Sequence, residues 1–253
     1  MNMLDAKQIS GESSYIRHSR KRAIPEKKIV YPDSDGKQMA DNTKQFDWIV
    51  KIKVNLDQVF ADNPDVFVAG DLLWYPVEGN PKIRIAPDAM VVFGRPKGHR
   101  GYYRMWEEDN IAPQAVFEIL SPGNTAKEMA GKLVFYEKYG VSEYYVYDPD
   151  RIALTGYIRK NAGLSPIKNM QGWISPLLKI RFDIGQEDLY IYHPDGEKFL
   201  SPLENNRLRR SAQRETLIAQ IEAGLAKQKA EAEYLRAERL AAKLRELGIE
   251  NGY

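Results

Sequence analysis

Pro87-Asp88-Ala-Met-Val-Val-Phe93, Gln114-Ala-Val-Phe-Glu118-Ile-Leu-Ser-Pro122 and Glu143-Tyr-Tyr-Val-Tyr-Asp-Pro149 are three short apolar runs, each closed by turn residues. Between the second and third, about Ala126 to Tyr139, the spacing is helical, and Gly140 stands where a helix C-cap glycine belongs. The first run opens on an acid and the second encloses one. A carboxylate set in Ala-Val-Phe-Glu-Ile-Leu is costly to bury unless a cation or hydrogen-bond donors compensate it. Two such acids meeting on adjacent strands would form an oxygen-ligand site for a hard divalent cation. Asp88 and Glu118 are therefore the candidate metal ligands.

Working outward, Trp48, Ile49, Ile52, Leu56, Val59 and Phe60 recur at three-and-four spacing after the N-cap candidates Asp41-Asn-Thr43. The spacing predicts an amphipathic helix over 43–61, ended by Asn63-Pro64. Val66–Ala69, Asp71–Tyr75 and Lys82–Ile85 read as strands leading to the Asp88 run, with a turn at Gly79-Asn-Pro81. Gly94 to Arg104 holds too many breakers for regular structure. Its Arg95, Lys97, Arg100 and Arg104 could contact phosphates or simply decorate a surface loop. Beyond the third run, Ala153–Arg159 and Leu189–Tyr192 read as β, with turns at Asn161-Ala-Gly163 and Pro194-Asp-Gly196. Helix, strands, helix and further strands imply a mixed α/β or α+β domain around an acid-bearing central sheet. Trp48, Trp74 and the tyrosines 144, 145 and 147 read as packing, and Asp148-Pro149 as a turn.

The 253 residues allow one sizeable domain with appendages, and 43% apolar content is ordinary for a folded protein. No apolar run approaches the roughly 18 residues of a membrane span. The N-terminal stretch Met-Asn-Met-Leu-Asp-Ala-Lys lacks a signal-peptide pattern, so the cytoplasm is the expected compartment. Zero cysteines exclude disulfides and thiolate metal sites. His18, His99 and His193 are scattered and lack zinc-ligand spacing. A net charge of +2 supplies no global basic field, so nucleic-acid binding must rest on local patches. Residues 1–30 form a polar arm with the basic cluster Arg17-His-Ser-Arg20-Lys21-Arg22, 31–204 a globular domain, and 205–253 a helical tail. In that tail Ile218, Ile221, Leu225, Ala232, Leu235 and Ala242 fall on alternating three-and-four steps, interrupted by Gln228 and Arg239. A long helix over 207–247, paired in a coiled coil with a second copy, is expected; docking on its own domain is the alternative.

The ordered set Pro87-Asp88, Phe117-Glu118-Ile-Leu-Ser-Pro122, Glu128 with Lys132, Tyr136-x-x-x-Gly140-Val-x-Glu143-Tyr-Tyr and Asp148-Pro149 resembles the Uma-type restriction endonuclease family. That family lies in the PD-(D/E)XK nuclease superfamily, and the resemblance covers roughly 31–199. It implies a restriction-endonuclease-like core, a mixed sheet flanked by helices with a metal site at the strand ends, to which the long C-terminal helix read from the spacing is appended. It also implies a metal-dependent endonuclease acting on DNA, with Asp88 and Glu118 holding Mg²⁺, for which Mn²⁺ can substitute. The lysine expected two residues after the glutamate is replaced by Leu120, and the resemblance points instead to Lys132 on the following helix. An exposed Glu128–Lys132 ion pair is the plainer reading of that lysine. An early glutamate of the family is absent from Tyr31-Pro-Asp-Ser-Asp-Gly36. The expectation is a homodimeric Mg²⁺-dependent endonuclease with Asp88, Glu118 and Lys132 as catalytic residues. A catalytically inactive relative that binds nucleic acid or protein, and an interaction protein working through its C-terminal helix, are the alternatives.

Overall fold

A computed structural model describes residues 29–34, 36 and 40–248. The chain divides into two units, Met1–Val30 and Tyr31–Tyr253, and every element below belongs to the second. The basic cluster Arg17–Arg22 lies outside the described residues.

Helix α1 spans Thr43–Val59, and the Asn42 side chain caps it by accepting the Gln45 N–H at 2.8 Å. Its apolar stripe, Trp48, Ile49, Ile52 and Leu56, is buried. Strand β1 is Val66–Ala69 and β2 is Trp74–Tyr75, followed by β3 (Ala89–Phe93), β4 (Tyr103–Arg104) and β5 (Ala115–Ile119). Helix α2 (Ala126–Lys138), capped by the Thr125 side chain, leads to β6 (Glu143–Asp148). Gly140 follows α2 with φ 95°, a backbone angle that glycine takes without steric cost. Then come β7 (Ala153–Lys160), β8 (Gly163–Pro166), β9 (Trp173–Ile174), β10 (Arg181–Ile184), β11 (Leu189–Tyr192) and α3 (Pro202–Glu246).

Six strands form a mixed central sheet in the order β1-β3-β5-β6-β7-β8. Only β5 and β6 run parallel; the other neighbours are antiparallel. A parallel neighbour requires a crossover, and α2 provides it. On one face, α1 and the small antiparallel sheet β11-β10-β9 share a core with Val91, Phe117, Tyr145 and Phe182. On the other, Tyr136 of α2 packs with Met90, Val92, Val116, Tyr144 and Trp74. Gly156 of β7 allows Met170 and Ile167 to press on the sheet, because a Cβ there would lie 2.6 Å from the Met170 sulfur.

The stretch read as a strand over Lys82–Ile85 is a turn instead, touching the sheet through one bridge between Ile85 and Trp74. Pro76 and Pro81 remove amide donors on either side of Gly79, whose φ is 82°, so an extended hairpin cannot form. Strands β8, β9 and β10 have two to four residues each, too short to leave a periodic trace between Pro166, Gly172 and Pro176. Helix α3 runs unbroken for 45 residues from a capping box of Ser201 and Glu204, and none of its residues is buried. Its root is tied to α1, where Asn55 donates to the Leu200 carbonyl at 2.8 Å and accepts the Leu200 amide at 3.2 Å.

Candidate active site

Strand alternation decides where the acids point. On β5, Ala115, Phe117 and Ile119 enter the α1-side core, while Val116 enters the α2-side core. Glu118 shares the face of Val116. On β3, Met90 and Val92 belong to that same side, and Asp88, one step before the strand, shares their parity. Register pairs Ala89 with Phe117, so its continuation sets Asp88 opposite Glu118. Two acids thus come to neighbouring positions beneath α2, one 8% and the other 2% exposed.

Helix α2 supplies the compensation. Lys132 donates to Glu118 Oε2 at 2.6 Å, and Tyr136, one turn further on, donates its hydroxyl to Oε1. Asp88 Oδ2 accepts the Ile119 amide at 2.6 Å. Glu128, a turn before Lys132, makes no ion pair with it among the described residues; its carboxylate accepts from Asn124 at 3.4 Å. The lysine therefore serves the strand acid rather than its helix neighbour.

From the other side, α1 grips the end of β5. Gln45 donates to the Ile119 carbonyl at 2.8 Å and accepts the Asp41 amide at 2.8 Å, while Ser121 donates its hydroxyl to Asp41. An open cleft of about 600 Å³ lies against these residues. Asp41, Asp71, Asp88 and Glu128 line it as acids, Arg84 and Lys132 as cations. Asp71 sits at φ 47°, and its amide reaches the Pro87 and Asp88 carbonyls at 3.1 and 3.3 Å. Among the described residues Arg84 has no carboxylate partner, and its hydrogen bond is a long 3.5 Å contact with the Pro81 carbonyl.

Electrostatics follow from burial. Burial, then the charge of Glu118, push the Asp88 carboxyl well above its ordinary range, and the Ile119 amide offsets part of this. Burial also raises Glu118, although Lys132 and Tyr136 pull it back. For Lys132, burial lowers the ammonium, but Glu118 and then Asp88 outweigh it, so the group stays firmly cationic. With both acids ionised, two carboxylates and one lysine would leave an excess of negative charge in a desolvated place, which is why burial raises both and the charge of Glu118 raises Asp88 further.

A magnesium ion suits that excess. It needs oxygen donors, keeps several waters and is held by one or two carboxylates, which matches a pair of acids beside an open cleft. Among the described residues no group of three or more His, Asp or Glu is placed to hold a metal ion.

Of the residues singled out in the sequence, Glu118 and Lys132 are in direct contact, and Asp88 lies beside Glu118 on the paired strand. The loop cations are occupied elsewhere. Arg95 and Arg100 bind Glu108 at 2.8 and 2.6 Å, Arg104 binds Glu107 at 2.6 Å, and Lys97 donates to the Phe60 and Ala61 carbonyls. That loop is held as structure. Glu143 is equally buried but satisfied by Tyr145, Ser175 and the Leu177 amide, so it braces the small sheet. Asp41 was marked only as an N-cap candidate, and Gln45, Asp71 and Arg84 were not singled out in the sequence. Gln45 left a trace there, a polar residue on the apolar stripe of α1; Asp71 and Arg84 sit in turns and left none.

No curated protein matches the chain. Among solved structures, a "putative nuclease belonging to DUF820" from Anabaena variabilis is similar at 15% identity, over 54% of this chain and 73% of that one, with a TM-score of 0.41. A family model, Uma2, described as "Putative restriction endonuclease", matches residues 39–182, more than half of the sequence, and the chain belongs to that family.

Proposed function

We propose that the chain is a Mg²⁺-dependent DNA endonuclease that hydrolyses phosphodiester bonds at the Asp88–Glu118 site, with Mn²⁺ able to substitute. The observation that carries this reading is the convergence of two buried strand acids and one lysine beneath α2, beside an open cleft. The DNA substrate rests on the family description. Magnesium bound there supplies a Lewis acid and lowers the pKa of an attacking water.

The chain's own residues have separate tasks. The Ile119 amide fixes the orientation of the Asp88 carboxylate, which would be one of the two acids holding the metal. Tyr136 and Lys132 hold both oxygens of Glu118 and stop the carboxylate rotating, and each oxygen keeps a lone pair for ligation. Because Lys132 stays cationic, it offsets charge growing on the phosphate instead of taking a proton. Arg84, without a carboxylate partner among the described residues, offers a planar fork to phosphate oxygens entering past the acids of the rim.

The assembly proposed is a homodimer. The apolar positions of α3 are about half exposed, Ile218 at 55%, Ile221 at 54%, Leu225 at 61% and Leu235 at 49%, and packing must supply most of a long helix's stability. Pairing with the same helix of a second copy covers that stripe in a coiled coil. Among the described residues no helix is long and apolar enough to cross a membrane, and a cysteine-free chain suits the cytoplasm as well as any compartment.

A plasmid-cleavage assay tests the catalytic reading. Wild type should cleave with Mg²⁺ or Mn²⁺ and not in EDTA, and Asp88→Asn or Glu118→Gln should lose at least about a hundredfold in rate. Variants that cleave as fast as wild type would refute the site. Duplex binding with no cleavage under any metal would leave the inactive nucleic-acid-binding relative as the function.

A further inference from the structure

The stretch 205–214 of α3 reads Asn-Asn-Arg-Leu-Arg-Arg-Ser-Ala-Gln-Arg, four arginines and no acid. Its charge of +4 exceeds the net +2 of the whole chain. The remainder of the helix, 215–246, carries six basic and six acidic side chains. Basic charge is therefore concentrated in less than a quarter of an otherwise balanced helix. All ten residues are exposed, and none of the four arginines has an ion-pair partner among the described residues.

Helical spacing orders these arginines. At 100° per residue, Arg207, Arg210 and Arg214 lie within an arc of about 60°, over about 10 Å of helix axis. That axial length matches about three phosphates of one DNA strand. The same three-and-four steps that place Ile218, Ile221 and Leu225 on the apolar stripe run back to Arg214, Ser211 and Arg207. So the stripe changes from apolar to cationic near position 215 while the helix continues unbroken. In a parallel pair those arginines would face like charges, which an anion beside them relieves. The root is no loose tail, since Asn55 of α1 holds Leu200 through two hydrogen bonds and Ser201 caps the first turn. The arginines therefore emerge from the nuclease body on a rigid support.

We propose that Arg207, Arg210 and Arg214 form a phosphate-backbone docking surface for duplex nucleic acid, distinct from the Asp88–Glu118 cleft. It deepens the nuclease reading by naming what holds the substrate of that site, and rests on that reading for its biological use. The contact is to backbone, through arginine forks and without base readout, so it carries affinity and not sequence choice.

The test uses the full chain in EDTA, where no cleavage can occur, and a fluorescent 24-base-pair duplex titrated between 50 and 200 mM salt. The triple variant R207Q/R210Q/R214Q keeps good helix formers at each position, and circular dichroism verifies that helicity is retained. A control, K227Q/R236Q/K243Q, removes the same charge from the balanced half and off the apolar stripe. Expected is a binding-versus-salt slope flattened by about two to three and affinity reduced roughly tenfold or more in the first variant, with the control unchanged. Equal losses in both variants would reduce the effect to overall charge and overturn the proposal. So would no duplex binding by wild type, an unchanged slope in R207Q/R210Q/R214Q, or binding to phosphatidylserine vesicles in place of the duplex. If wild type binds with the expected slope yet never cleaves with Mg²⁺, the docking surface stands and the catalytic reading fails. If wild type cleaves and the triple variant keeps its slope, the reverse holds.

Discussion

Replacing Lys132 with methionine removes the cation from a pair in which Glu118 is 2% and Lys132 19% exposed, at 2.6 Å. Exposed ion pairs contribute about 0–1 kcal/mol. Removing one partner of a buried pair costs about 3–5 kcal/mol, because the remaining charge is left desolvated. Glu118 would keep the Tyr136 hydroxyl, so the lower end applies, about 3 kcal/mol. For a chain of this size that is a fall of about 6–12 °C in melting temperature. Urea unfolding followed by tryptophan fluorescence, in EDTA, measures it directly. Adding Glu118→Gln to the Lys132→Met chain removes the stranded charge and should recover at least about 2 kcal/mol. A single-variant loss below about 1 kcal/mol, or a double variant whose losses simply add, would mean that the two groups do not meet in a desolvated place.

Four other outcomes are expected. Saturating Mg²⁺ should stabilise wild type by about 1–3 kcal/mol through mass action, and Asp88→Asn should abolish this shift in a thermal-melt titration. Tyr136→Phe should cost about 1–3 kcal/mol by leaving a buried carboxylate oxygen without its donor, and should slow cleavage at least about tenfold in the same plasmid assay. Burial depresses the His193 imidazole against the pull of Asp195 and Glu197. The folded state therefore binds its proton less readily, so stability should be full above about pH 6.5 and decline as pH falls below it, a decline that His193→Gln removes. Deleting residues 207–253 should leave a particle of one truncated chain by light scattering; a particle of two truncated chains would show that α3 does not hold the copies together.

Much of this architecture was legible because long elements leave periodic traces. The stripe Trp48–Ile49–Ile52–Leu56 announced α1, and the runs containing Asp88, Glu118 and Tyr144–Tyr147 announced β3, β5 and β6. Two of the three polar residues on the buried side of α1, Gln45 and Asn55, mark its two anchoring points, the end of β5 and the root of α3. Their meaning could not be read in advance, because a polar side chain in an apolar stripe announces a partner without naming it. Arg84 and Asp71 were invisible for a different reason. Their place in the cleft depends on a turn that folds back on Trp74, a contact between residues far too irregular in spacing to carry a period. The same limit hid β9 and β10, whose pairing is fixed by tertiary packing against Phe117 and Tyr145.

Position 120 brings no donor to Glu118; helix α2 brings two. Two residues beyond Glu118 a strand side chain returns to the same face, and Leu120 at that place brings no charge. Helix α2, packed on that face, presents Lys132 and Tyr136 one turn apart, and both reach the same carboxylate. The helix thus supplies one donor to each oxygen of Glu118. This arrangement makes the acid's orientation depend on how α2 docks. Tyr136 is fully buried, its ring 4.9 Å from that of Tyr144 and 6.5 Å from that of Trp74. A cavity opened under that ring, as by Tyr144→Ala, would therefore loosen Glu118 as well as the core, although Tyr144 makes no hydrogen bond to either acid among the described residues. Core packing on the α2 side and the geometry of the acids are one structural problem in this chain, and a substitution there should move stability and metal affinity together.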